Sequence, residues 1–63
     1  MIKDPEYILL WHLDTAQLWL HEHNIPFRIM EVDGKPRLGT ADLRMDRFNL
    51  VVEDELVTKV YVG

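Results

Sequence analysis

Sixty-three residues, 48% hydrophobic and 29% charged, give one small domain over 1–63, too short for a second domain or a deep enclosed substrate cavity. With no cysteine there is no disulfide framework, no thiolate-bound metal or cluster and no thiol nucleophile. The net charge of −4 divides into −3 over residues 1–24, +1 over 25–49 and −2 over 50–63, and the cations of the middle segment alternate with acids, which argues against a nucleic-acid partner.

In chain order, residues 5–24 read as helical, in one piece or two. Pro5 suits a first helical position, and Asp14 with Gln17 three residues on reads as an N-cap and its capping-box partner, so a helix restarts at Asp14. Leu9, Leu13, Ala16 and Leu20 form one stripe at helical spacing, expected to face the core. Trp11, Leu18 and Trp19 do not all fit on that stripe. The Trp11/Trp19 surface is therefore a candidate for homo-oligomer formation. Asn24 can take the left-handed conformation that ends a helix, and Ile25-Pro26 follows, with proline unable to continue it. The longest apolar run, Ile8 to Trp11, is four residues, far short of a membrane span, and the acidic, proline-containing start is unlike a signal peptide. The expectation is a cytoplasmic protein with no membrane partner.

Residues 27–32 alternate well enough for a strand with Phe27 and Ile29 on one face, and Asp33-Gly34 is a strong turn signal. Lys35 to Met45 has neither period and reads as a long loop, of a length that is uncommon in so small a domain and usually either functional or disordered. Residues 48–52 form the strongest strand pattern, with Phe48, Leu50 and Val52 on one face. An acidic turn at 53–55 leads to a last strand over 56–62. The expected fold class is α+β: one helix packed on a small mixed sheet, with a long exposed loop.

The chemistry of the residues points away from an enzyme. The chain has no serine, no cysteine and no glycine-rich phosphate loop, and the acids at 53–55 belong to a turn. His21 and His23, two apart, would point to opposite sides of a helix, so no metal site is expected; near a helix C-terminus they complement its dipole instead. No cofactor is implied. The loop remains. It runs directly into a strand on which Arg47 and Asn49, two apart, share a face and can aim donors back at Asp42 and at loop carbonyls. A loop braced in that way presents its backbone outward.

Thr40-Ala-Asp-Leu-Arg-Met-Asp-Arg-Phe-Asn-Leu-Val-Val resembles the reactive-site region of the potato inhibitor I family of serine-protease inhibitors. It is more similar still to the related bacterial and fungal inhibitors, whose signature runs Thr-Met-Asp-Tyr-Arg-Pro-Asp-Arg-Leu-Asn-Val. The terminal strand ending in Gly63 and the order of helix 14–24 and strand 27–32 agree with that resemblance. It implies that Gly39, Thr40, Ala41, Asp42, Leu43 and Arg44 form a protease-binding loop, with the scissile bond between Ala41 and Asp42. It also implies that Arg47 and Asn49 brace Thr40 and Asp42 and that the Gly63 carboxylate joins the support. The small Ala41 suits a subtilisin-like or elastase-like pocket. The implied partner is a protein, a serine protease, held by substrate mimicry: the loop enters the cleft already extended and little ordering entropy is lost. The alternative is a non-enzymatic binding module on the same scaffold. It would block a non-protease enzyme, or sequester a small anionic ligand through Arg28, Arg37, Arg44 and Arg47.

Overall fold

The computed structural model describes residues 4–37 and 46–63. A 3₁₀ turn, Pro5–Ile8, opens the described chain, followed by helix α1, Leu13–Glu22, and four strands: β1, Phe27–Val32; β2, Lys35–Pro36; β3, Phe48–Glu53; and β4, Leu56–Val62. The strands form one mixed sheet in the order β2-β1-β3-β4, with β1 and β3 parallel and the other two pairs antiparallel. One helix packed on a four-stranded mixed sheet is an α+β arrangement, as expected.

The N-terminal segment follows the two-piece reading of 5–24, with a 3₁₀ turn at Pro5–Ile8 and a helix restarting at Leu13, one residue before Asp14. Asp4 caps the 3₁₀ turn by accepting from the Glu6 amide at 3.0 Å, and Pro5 stands at its first position as expected. The helix does not continue from there, because residues 10–13 are engaged by the edge of β4. Leu10 N–H donates to the Val57 carbonyl, Val57 N–H to the Trp11 carbonyl at 2.9 Å, and Leu13 N–H to the Glu55 carbonyl at 2.8 Å. Leu10 turns the chain into this pairing with φ of 68°. Nor is Asp14 the N-cap. That position is His12, extended at φ −61° and ψ 139°, whose ring Nδ1 accepts from the Asp14 amide at 3.2 Å, and Asp14 lies in the first turn, where its charge suits the helix dipole. Leu9, placed on the core stripe by its spacing, is 40% exposed, since the stripe begins only where α1 does.

The C-terminal end of α1 follows its sequence signals closely. Asn24 has φ of 56°, its N–H donates to the His21 carbonyl at 3.1 Å, and the Ile25 N–H donates to the Leu20 carbonyl at 2.9 Å. This pair of bonds is the Schellman motif, and Ile25 packs on the core beside Leu20 in the usual accompanying contact. The His23 ring adds a contact of 2.9 Å from Nδ1 to the Trp19 carbonyl, the last-turn role expected of a histidine there.

Two tight hairpins shape the sheet. Asp33 and Gly34 (φ 50° and 79°) join β1 to β2, and Asp54 and Glu55 (φ 50° and 67°) join β3 to β4; positive φ at both central residues marks the type I′ turn that matches strand twist. Because β1 and β3 are parallel, both turns lie at one end of the sheet. They are tied there by the Asp54 N–H donating to Asp33 Oδ1 at 2.8 Å. The first hairpin adds Lys35 and Pro36 to the sheet, two residues that were expected to belong to the loop.

Ile8, Ala16, Leu20, Phe48, Leu50, Val52 and Val57 form the buried core, flanked by partly buried Trp11, Leu13, Trp19, Ile25, Phe27, Ile29, Val60 and Val62. Its centre is β3, an interior strand whose Phe48, Leu50 and Val52 face the helix as their alternation predicted. Trp11 and Trp19 pack against this core and against each other, with ring centroids 5.9 Å apart, so the large apolar residues that stand out most are Leu10, Tyr7 and Leu18. No helix among the described residues is long and apolar enough to cross a membrane.

Candidate functional site

At the end of the sheet opposite the two hairpin turns, polar side chains are buried where β3 begins and β4 ends. Arg47, immediately before β3, is 8% exposed, and Asn49 within it is fully buried. Arg47 Nε donates to the Gly63 oxygen at 3.0 Å, while the Gly63 N–H donates to the Arg47 carbonyl at 3.0 Å. Asn49 Nδ2 lies 3.2 Å from the same Gly63 oxygen and 3.3 Å from the Tyr61 carbonyl. On its other side, Asn49 Oδ1 accepts from Arg28 Nε at 2.6 Å. The strand register explains the assembly. Arg28, Asn49 and Tyr61 are direct cross-strand partners on β1, β3 and β4, and their side chains therefore occupy one row on the face away from the helix.

The chemistry of this hub depends on the amide. Asn49 must accept from a guanidinium and donate to two carbonyls at once; an aspartate could do only the first and a leucine neither. Every buried side-chain nitrogen and oxygen among the described residues has a partner. Gly63 fits closely against this group, since a Cβ built there would meet Asn49 Nδ2 at 3.2 Å.

Of the residues named from the sequence, Arg47, Asn49 and Gly63 are therefore brought together. Gly39, Thr40, Ala41, Asp42, Leu43 and Arg44, the expected contact loop, lie outside the described residues. On the flanks of that segment, the chain leaves the sheet after β2, where Arg37 N–H donates to the Met30 carbonyl at 2.8 Å. It re-enters at Asp46 and Arg47 beside the hub. Arg28 was not among the expected supporting residues. Its contribution rests on the parallel pairing of β1 with β3, for which local sequence carries no signal. Of the arginines considered for an anionic ligand, Arg28 and Arg47 instead donate to Asn49 and Gly63.

No group of three histidine, aspartate or glutamate side chains gathers in a metal-binding arrangement among the described residues. His21 lines an open cleft of about 440 Å³ with Leu20, Asn24 and Ile25, whereas His23 stacks on Trp19 with centroids 4.3 Å apart. Compared with known proteins, the chain matches no protein-family model and no curated protein.

Proposed function

We propose that the protein is a small inhibitor of a serine protease of subtilisin-like or elastase-like specificity, acting through residues 39–45 as a substrate mimic. The observation that carries this reading is the buried hub of Arg47, Asn49 and Gly63, which sits where the chain re-enters the sheet from that segment. An inhibitory loop has to stay in its bound shape after the protease attacks it, so that the cleaved ends remain together and the bond re-forms. Rigid donors at the root of the loop reduce the ordering entropy lost on binding and hold the leaving half in place. The resemblance of residues 40–52 to the potato inhibitor I and related bacterial and fungal inhibitors supports the same assignment.

Titration of a panel of serine proteases tests it directly: stoichiometric inhibition of a subtilisin-like or elastase-like member is expected. Ala41→Arg should move the preference toward a trypsin-like protease. Arg47→Ala should convert inhibitor into substrate, seen as progressive cleavage between Ala41 and Asp42 by mass spectrometry. Absence of inhibition across the panel at high micromolar protein would overturn the reading and leave the scaffold as a binding module for a different partner.

A further inference from the structure

Apart from the hub, a cleft opens between the N-terminal 3₁₀ turn and the C-terminal end of α1. Asp4, Tyr7, Trp19 and His23 line one cleft of about 270 Å³. Its walls belong to a continuous aromatic cluster: Tyr7 is 5.4 Å from Trp11 and 5.1 Å from Trp19, and the His23 ring stacks on Trp19 at 4.3 Å. Tyr7 is 61% exposed, so the cluster presents an aromatic ring to solvent at the cleft. Among the described residues of the lining, Asp4 is the one carboxylate, placed by its bond to the Glu6 amide, and none is a lysine or arginine. The sequence around the cleft is acidic, with residues 1–24 carrying −3.

We propose that this cleft binds an alkylated ammonium group, with Asp4 supplying the counter-charge and the Tyr7 and Trp19 rings supplying the π surface. The described lining favours this class over the alternatives. Among the described lining residues an anion would face the Asp4 carboxylate with only the His23 ring as a protonatable base and no lysine or arginine, and a neutral apolar ligand would make no use of the carboxylate. A soft cation bearing methyl groups satisfies both walls, because its charge is attracted by the ring quadrupole while its surface is apolar. The cleft is smaller than the roughly 300–1,000 Å³ typical of drug-sized ligand sites, a size suited to a head group and not to a whole cofactor. A free small molecule and a methylated lysine side chain both present such an ammonium, and the same lining serves both. This inference is independent of the protease reading, since none of its residues belongs to the hub or to segment 39–45.

The test is titration of the intact protein with choline, followed by tryptophan fluorescence and by the two indole N–H resonances. Its uncharged carbon isostere, 3,3-dimethylbutan-1-ol, is the control. A saturable response that includes Trp19, present for choline and absent for the alcohol, is expected. Asp4→Asn keeps the cap on the 3₁₀ turn while removing the charge, and should weaken binding about threefold to fivefold. Tyr7→Leu should weaken it further with the fold retained by circular dichroism. A parallel titration with a trimethyl-lysine peptide separates the sources: tighter binding than choline assigns the site to a modified protein, and equal or weaker binding to a free ammonium compound. Equal response to choline and the alcohol, or no loss in Asp4→Asn, would overturn the proposal.

Discussion

Asn49 shows how much one side chain decides at the candidate site. It is fully buried, and its amide joins Arg28 on β1 to Tyr61 and Gly63 at the end of β4. Replacing it with alanine leaves the Arg28 Nε and the two oxygens short of a partner. Asn49→Ala should therefore cost about 2–3 kcal/mol, read from urea unfolding. Leu10 has the opposite character. It holds φ of 68° with its side chain 65% exposed, so the left-handed backbone is strained and little burial offsets it. Leu10→Gly should stabilise the fold by about 0.5–1 kcal/mol, the relief of strain exceeding the added chain entropy. Arg47 and Asn49 were legible as a pair because two-residue spacing on a strand is local information. Arg28 was not, because its partnership with Asn49 is a matter of register between strands 21 residues apart.

Among the elements, those that form from local periodicity were legible and those that depend on a neighbour were not. β1, β3 and β4 announce themselves by alternation, and the end of α1 by Asn24 and Pro26. The cap of α1 was misplaced by two residues, at Asp14 in place of His12, because helical spacing in residues 5–12 competes with β4 and the turn before it, which take up backbone groups of Leu10, Trp11 and Leu13. β2 is only two residues long and exists because the Asp33-Gly34 turn folds Lys35 back onto Val32. The turn joining β3 to β4 is less well chosen. Glu55 sits at φ of 67°, where a residue with a Cβ is disfavoured. Glu55→Gly should stabilise the hairpin by about 0.5–1 kcal/mol, with a rise in Tm as the readout, because the Leu13 N–H bond to its carbonyl needs only the backbone.

For the whole molecule, the small core sets the margin. At about 0.05–0.15 kcal/mol per residue, 63 residues imply roughly 3–9 kcal/mol of stability. Leu50 is fully buried on the interior strand β3, within the core cluster. Leu50→Ala should cost about 2–5 kcal/mol, which at the lower margin unfolds the domain at room temperature, visible as loss of the cooperative transition in circular dichroism. With no cysteine available, the hub and the paired hairpin turns must hold the two ends of the sheet without covalent help.

The sequence by itself determined the α+β class, three of the four strands, both turns and the helix stop, since each rests on periodicity, proline or a left-handed residue within a few positions. It also singled out Arg47, Asn49 and Gly63. Tertiary structure alone decided that β1 lies parallel to β3, that residues 10–13 pair with β4 in place of extending the helix, and that Arg28 meets Asn49. These are contacts between segments distant along the chain. Their free energy comes from closing the sheet and burying the core together, and no local run of residues encodes it.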